Sequence, residues 1–78
     1  MDTKLDLRGL KCPLPVLKTR NALRKLETGA RIWVVTDDPL AVIDIPAFCN
    51  ESNQLLVEQT PGEGDSNLFL IERQQDRP

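Results

Sequence analysis

The sequence contains no histidine and only two cysteines, Cys12 and Cys49. A tetrahedral zinc site takes its four ligands mainly from cysteine and histidine, so these two thiols would need acidic residues to complete one. The two cysteines also do not form a Cys-x-x-Cys pair, the arrangement typical of dithiol redox proteins. We therefore expect neither a metal site nor a cofactor, and the sequence argues against thioredoxin-like chemistry.

Long apolar runs are missing as well. No stretch approaches the length of a membrane-spanning helix, and residues 1–6 lack the apolar core of a secretory signal peptide. We therefore expect a cytoplasmic protein that does not enter a membrane. In a reducing compartment, a disulfide between the two cysteines is the unfavoured alternative.

An excess of positive charge is also absent. The formal net charge is −2 and the isoelectric point is about 5.0, which argues against direct nucleic-acid binding through overall charge, although a local basic face stays open. With 78 residues, 40% of them hydrophobic, we expect a single domain over residues 1–78 and no room for an internal active-site cavity. A functional site should therefore lie on the surface.

Short apolar segments alternate between strand and helix periodicity. The pattern predicts a strand around Leu5 and Leu7, a helix over residues 13–28 closed by Gly29, a strand over residues 32–36, a helix over residues 44–52, and strands over residues 55–57 and 68–72 joined by the loop 61–67. Before the second helix, Asp38 and Pro39 predict a short capped turn, and Pro46 is expected to interrupt this segment. Residues 74–78 read as a frayed polar tail.

This order predicts an α/β fold. The strands are too few to be covered on both faces, and each helix has one apolar stripe. We therefore expect a two-layer sandwich with a mixed four-stranded sheet and two helices on one face, in the order β-α-β-α-β-β.

Two prolines follow Cys12, in the run Cys12-Pro13-Leu14-Pro15. Proline is tolerated in the first helical turn, so Pro13 and Pro15 support a helix start with Cys12 as the N-cap and the Leu14 N–H as the remaining cap donor. Cysteine is a poor N-cap compared with serine, threonine, aspartate or asparagine. Its presence there indicates chemistry at Cys12.

Positive charge near Cys12 should favour the thiolate. The helix N-terminus carries a partial positive charge, and Arg8, Lys11 and Lys18 are close in sequence. We therefore expect the pKa of the Cys12 thiol to lie below its ordinary value of about 8.5. An accessible, partly ionised cysteine is sufficient to carry a sulfane sulfur as a persulfide, without an acid, base or metal of the protein's own.

The sequence resembles the TusA/SirA family of small sulfur-carrier proteins over nearly its whole length. The resemblance rests on these motifs: Asp6-x-x-Gly9-x-x-Cys12-Pro13-x-Pro15, Gly29 before a strand, Asp37-Asp38-Pro39, and Asp44-Ile45-Pro46-x-Phe48-Cys49. It implies that Cys12 accepts a sulfane sulfur from a cysteine desulfurase or rhodanese-like donor protein and passes it to an acceptor protein. It further implies service in tRNA thiolation, molybdenum cofactor supply or sulfur metabolism, as a sulfurtransferase-type carrier without a complete active site of its own.

Basic residues continue from Cys12 along the first predicted helix. Those that we propose for partner docking are Arg8, Lys11, Lys18, Arg20 and Arg24. Charge runs are often only solvated surface, so a solvated helix face without a docking role is the alternative interpretation.

Other functions remain open at this stage. A thiol redox sensor would oxidise Cys12 to a sulfenic acid or a mixed disulfide, and a non-catalytic interaction domain would use Cys12 only to shape its loop. Cys49 follows Phe48 on the expected core face of the second helix and is interpreted as structural. Trp33 is interpreted as a core or sheet-face residue rather than a binding platform.

Overall fold

The computed structural model describes residues 3–75 and shows the predicted succession of elements. In chain order these are β1 (Thr3–Asp6), α1 (Leu14–Arg24), β2 (Arg31–Thr36), α2 (Ala41–Ser52), β3 (Leu55–Pro61) and β4 (Asn67–Glu72). The predicted α/β fold with the order β-α-β-α-β-β is confirmed.

The four strands form one mixed sheet in the order β1-β2-β4-β3. β1 pairs parallel with β2, whereas β4 pairs antiparallel with both β2 and β3. Parallel pairing of consecutive strands requires a crossover, which α1 supplies. The carboxyl ends of β1 and β2 therefore lie at the same edge of the sheet, and the chain segments that follow them meet there.

Both helices pack on one face of this sheet. Along β2, Ile32 and Val34 point to the helices and lie opposite Ile71 and Phe69 of β4, since alternate residues of a strand share a face. One buried cluster joins these strand residues with both helices, and its members are Leu7, Leu23, Ile32, Val34, Ala41, Ile45, Cys49, Phe69 and Ile71. The predicted two-layer arrangement is therefore what the structure shows, and Trp33 lies half-buried on the sheet face away from the helices.

The first helix is shorter than predicted. It ends at Arg24 with Lys25 as its C-cap, so Gly29 is not its terminator. Leu26 lies beyond the helix but still packs against the core, which extends the apolar spacing past the true end. Gly29 instead has a φ of +92° in the following turn, where its N–H donates to the Arg73 carbonyl over 2.7 Å.

The second helix is longer than predicted. It begins at Ala41, directly after the turn at Asp38, and contains Pro46 in its interior. Proline removes one helical hydrogen bond, here the bond to the carbonyl of Val42, whose residue is exposed. Burial of Ala41, Ile45 and Cys49 against the sheet holds the helix together across this position.

The polar C-terminal segment is tied down at its start. The Gln74 N–H donates to Gln54 Oε1 over 2.7 Å, and Asn53 Nδ2 donates to the Gln75 carbonyl over 3.2 Å. Gln74 and Gln75 are therefore held in place. The prediction of a frayed tail, which was made from their polarity, is wrong for these two residues. Residues 76–78 of the predicted tail lie outside the described residues.

Candidate functional site

Cys12 lies on the loop between β1 and α1, and two consecutive aspartates after β2 hold this loop. The Cys12 N–H donates to Asp38 Oδ2 over 2.7 Å, and the Gly9 N–H donates to Asp37 Oδ1 over 3.0 Å. Asp38 is buried, and its other oxygen accepts the Leu40 N–H over 3.2 Å. The parallel pairing of β1 with β2 makes this contact possible, because it places both loops at one edge of the sheet.

The helix start at Cys12 differs by one residue from the prediction. Pro13, and not Cys12, occupies the N-cap position, with Pro15 in the first turn. The Leu14 N–H donates to the Lys11 carbonyl over 2.8 Å and is therefore not directed at the thiol. Pro13 and Pro15 do mark the beginning of α1, as expected from the tolerance of the first turn for proline.

The charge around the thiol has the opposite sign from the prediction. The carboxylate of Asp44, in the first turn of α2, lies beside the thiol, and Asp38, which accepts the Cys12 N–H, adds a second nearby negative charge. Together with partial desolvation, these groups raise the pKa of Cys12, whereas a lowered pKa was predicted. The prediction was wrong because it counted only basic residues close in sequence, and the folded chain brings acidic residues of the α2 region to the sulfur.

A surface groove of about 430 Å³ runs from Cys12 between the two helices. It is open to solvent, as the size of the chain implied, and its lining combines apolar and charged side chains: Cys12, Pro13, Val16, Arg20, Asp44, Ala47, Phe48 and Glu51. Arg20 is the basic residue among them and lies on α1, one turn and a half beyond the helix start. The groove therefore leaves open space beside Cys12.

The basic residues predicted for docking do not all lie on one surface of the folded chain. Arg20 lines the groove beside Cys12, and Arg24 continues along α1 next to a smaller cavity that Arg20 also lines. Lys18 is exposed on α1. Lys11 faces a different groove, together with Asp37 and Ile43.

Arg8 is separated from that face. Its guanidinium pairs with Asp6 over 2.7 Å, and it lines a cavity with Val35 and Leu68, which lie on the sheet face away from the helices. The pairing holds the pKa of Asp6 at about 2. Of the five predicted docking residues, Arg20 and Arg24 are those that the fold places together on the helix side of the molecule.

Cys49 lies in the core, as its position after Phe48 had indicated. It is 2% exposed, and burial raises the pKa of its thiol to about 11. Both cysteines are free thiols. Cys12 is the exposed one, and therefore the one that other molecules can reach.

Exposed apolar side chains at the starts of the two helices were missed by the sequence reasoning. Leu40 is 52% exposed and Ile43 is 68% exposed, at the start of α2, and Leu14 is exposed at the start of α1. Their signal in the sequence was ambiguous, because these residues fit the apolar pattern of a helix as well as buried residues do. Apolar side chains exposed together are typical of a surface that a partner covers.

Among residues 3–75, no group of three or more cysteine, aspartate and glutamate side chains is arranged to hold a metal ion. Within the same residues, no helix is long and apolar enough to cross a membrane.

Comparison with known proteins gives a match to one family and one fold. The model of the family described as sulfurtransferase TusA matches residues 3–73. The chain is also similar to the crystal structure of a SirA-like protein from Desulfitobacterium hafniense, with a TM-score of 0.81 and 20% sequence identity, over 94% of this chain and 99% of that chain. At this identity the structural match shows a shared fold.

Proposed function

This chain belongs to the sulfurtransferase TusA family, and from that premise we propose that it carries sulfane sulfur as a persulfide on Cys12 and delivers it to a partner protein. The observation that carries the proposal is the contrast between the two thiols. Cys12 is exposed on a loop held by Asp37 and Asp38, whereas Cys49 is buried. A carrier needs a sulfur that two different proteins can reach in turn. Among residues 3–75, Cys12 is the cysteine exposed enough to be reached.

The proposed chemistry is two successive thiol exchanges. In loading, the Cys12 sulfur attacks the outer sulfur of a donor persulfide, the donor S–S bond breaks, and its electron pair leaves on the donor thiolate, which takes up the proton lost from Cys12. In delivery, an acceptor thiolate attacks the outer sulfur on Cys12 and releases the Cys12 thiolate. No electrons are gained or lost overall, so the carrier requires no redox cofactor.

The proposed partners are a sulfur-donor protein, of the cysteine desulfurase or rhodanese-like class, and a downstream acceptor protein. The pathways open to such a relay are tRNA thiolation, molybdenum cofactor supply and sulfur metabolism. We propose a cytoplasmic location, because that compartment keeps thiols reduced and a carrier thiol must be free to be loaded. Most of the catalytic power would come from the partners, since Cys12 is the one reacting group that this chain supplies.

The donor is proposed to dock on the helix side of the molecule. Two features beside Cys12 support this position, the groove between α1 and α2 and the cationic Arg20 within it. The apolar side chains of Leu14 and Ile43 are also exposed, at the starts of the same two helices. Apolar contacts surrounded by charges are the usual composition of transient protein interfaces.

Mass spectrometry after incubation with a sulfane donor tests the carrier function. We expect the wild type and Cys49→Ser to gain sulfur that a reductant removes, and Cys12→Ser to gain none. Oxygen or glutathione adducts in place of sulfur would support a redox sensor instead. Equal loading of the two single variants would contradict the assignment of Cys12.

A further inference from the structure

Three arginines from two separate parts of the chain line one small cavity. Arg20 and Arg24 lie one turn apart on α1, and Arg73 follows directly after β4. The cavity has a volume of about 160 Å³, and its other lining residues are Leu23, Phe48, Ser52 and Gln54. None of the described residues that line it is acidic. Positive charge is therefore gathered at this point of a protein whose net charge is −2.

The two arginines on α1 are not paired with a carboxylate of the described residues. Within residues 3–75 the ion pairs are made by Arg8 and Arg31, and neither Arg20 nor Arg24 takes part in one. Like charges four residues apart on a helix destabilise it. Arg24 suits the negative end of α1, in whose last turn it lies. That attraction explains neither Arg20, one turn earlier, nor the third arginine that arrives from another part of the chain. An anion between the three side chains would stabilise all of them.

The cavity is built on a fixed backbone. The Arg73 N–H donates to the Ala30 carbonyl over 2.7 Å, which ties the third arginine to the turn before β2. The uncharged polar side chains of the lining already bind nearby carbonyls. Ser52 Oγ donates to the Phe48 carbonyl over 2.6 Å, and Gln54 Nε2 donates to the Ser52 carbonyl over 3.3 Å. The guanidinium groups are therefore the groups best able to bind a ligand here.

We propose that this cavity binds a tetrahedral oxyanion of the phosphate or sulfate class. A guanidinium group presents its N–H donors in a planar fork that matches the oxygen atoms of such an anion. A phosphate group carries up to about two negative charges and several acceptor oxygens, so it can accept from three arginines at once. A carboxylate has a single charge and only two oxygens, and matches three guanidinium groups less well. The apolar side chains of Leu23 and Phe48 in the wall strengthen the attraction, because they lower the local dielectric constant.

The oxyanion site adjoins the groove of Cys12 but is separate from the sulfur. Arg20 and Phe48 line both cavities, whereas Cys12 lines only the groove. A bound anion would therefore lie beside the surface on which donor docking is proposed, and would lower its positive charge. The oxyanion site does not depend on the carrier function, because Cys12 takes no part in it.

NMR titration of the isotope-labelled protein with inorganic phosphate tests the oxyanion site, with the ionic strength held constant by sodium chloride. We expect the Nε–H signals of Arg20, Arg24 and Arg73 to shift along a saturating curve. Sulfate, which has a similar shape and charge, should give the same response, and acetate a much weaker one. Shifts that do not saturate, or acetate that binds as tightly as phosphate, would overturn the proposal.

Neutral variants locate the site on the molecule. We expect Arg24→Gln to weaken phosphate binding about tenfold, because a charge-assisted hydrogen bond is lost. Arg24→Lys keeps the charge without the planar fork and should weaken binding less. Lys18→Gln is the matched control, since it removes one positive charge from the exposed surface of α1 outside the cavity, and it should bind phosphate as the wild type does. Equal weakening by Arg24→Gln and Lys18→Gln would overturn the site, because it would indicate a general effect of surface charge.

Stability controls accompany these variants. Arg24 is exposed, so its replacement leaves the core intact, and thermal melting without phosphate verifies the fold. Phosphate and sulfate also stabilise proteins in general, because they are excluded from protein surfaces. The measure of specific binding is therefore the rise in melting temperature that phosphate causes in the wild type and in Lys18→Gln beyond the rise in Arg24→Gln. The same rise in all three proteins would contradict the site.

The source of the anion is distinguished by a second ligand, adenosine monophosphate, which carries the phosphate group on a larger molecule. Tighter binding than that of inorganic phosphate, lost in Arg24→Gln, would support the site and identify its ligand as a phosphate group on a larger molecule. Binding no tighter than that of inorganic phosphate would support a site for the free anion. If neither ligand binds to the wild type, the proposal is wrong, whatever the outcome of the loading experiment on Cys12.

Discussion

Cys49 and Cys12 show how position, rather than residue type, sets the chemistry of a thiol. Cys49 is enclosed by the core cluster between α2 and the sheet, and burial disfavours its charged form. Cys12 is exposed, and its thiolate is disfavoured for a different reason, the adjacent carboxylate of Asp44. The Cys49 thiol is therefore shielded from other molecules in the folded protein, while the Cys12 thiol is accessible to them.

The two cysteine-to-serine variants should rank oppositely in stability and in loading. Cys12→Ser should abolish loading with little effect on stability, and Cys49→Ser should lower stability while loading persists. Cys49→Ser places a hydroxyl in the apolar core, and we expect it to lower the free energy of unfolding by about 1–3 kcal/mol. Cys12→Ser changes an exposed loop residue and should stay within about 0.5 kcal/mol of the wild type. Urea denaturation measures both, and a Cys12→Ser variant that is the less stable of the two would contradict the structural role of Cys49.

At the scale of elements, the loop that carries Cys12 is positioned by the segment between β2 and α2. Asp38 accepts N–H groups from both sides, Cys12 on the β1–α1 loop and Leu40 before α2. Its own N–H donates to Thr36 Oγ1 over 3.3 Å, within buried surroundings. The Asp-Asp pair, interpreted from the sequence as a helix start, therefore also fixes the Cys12 loop on the sheet edge.

Removing the Asp38 carboxylate should loosen this connection. We expect Asp38→Ala to lower the free energy of unfolding by about 1–3 kcal/mol, because it leaves two N–H groups without their acceptor. Hydrogen exchange at the Cys12 and Leu40 amides should become faster in the variant. Asp37→Ala is the matched control, since Asp37 accepts a single N–H, from the exposed Gly9, and should cost less. Equal losses in the two variants would contradict the central position of Asp38.

At the scale of the whole molecule, charge is unevenly distributed. The net charge is −2, yet Arg20 and Arg24 lie together along α1 on the helix side, whereas Arg8 is held by Asp6 on the other side of the sheet. A local cationic surface on an acidic protein can steer association with an acidic partner, and such steering weakens with salt. Of the predicted docking residues, Arg20 and Arg24 are thus those that lie together on the helix side, and their role in docking stays a prediction.

Reversing this charge should slow transfer from a protein donor and not from a small one. We expect the double variant Arg20→Glu, Arg24→Glu to load about tenfold more slowly from a cysteine desulfurase supplied with cysteine, and to lose much of the salt dependence of loading. Loading from inorganic polysulfide should be nearly unchanged. Arg8→Glu, on the opposite face of the sheet, is the control and should load from the desulfurase at the wild-type rate.

Two other results would contradict this docking surface. If the double variant slows loading from polysulfide as much as loading from the desulfurase, the effect lies in the thiol or the fold. If Arg8→Glu slows loading from the desulfurase as strongly as the double variant does, the donor does not distinguish the two faces.

Local sequence signals were sufficient for much of the architecture. The alternation around Val34, the prolines after Cys12 and the apolar stripe ending at Cys49 follow from rules that act over a few residues, so the element order and the helix start could be predicted. The end of α1 and the beginning of α2 could not, because Leu26 packs on the core from outside α1 and Pro46 is tolerated inside α2. In both cases burial against the sheet outweighs the local preference.

The amino-acid sequence by itself determined the fold class and singled out Cys12 as the candidate reactive residue, because the proline motif and the apolar periodicities are local. The tertiary structure decided which charged groups surround that thiol. Parallel pairing of β1 with β2 brings Asp38 to the backbone of Cys12, and the packing of α2 on the sheet brings Asp44 to its sulfur. Electrostatic energy depends on distance in space and not on separation along the chain, so the sign of the pKa shift became known only from the folded molecule.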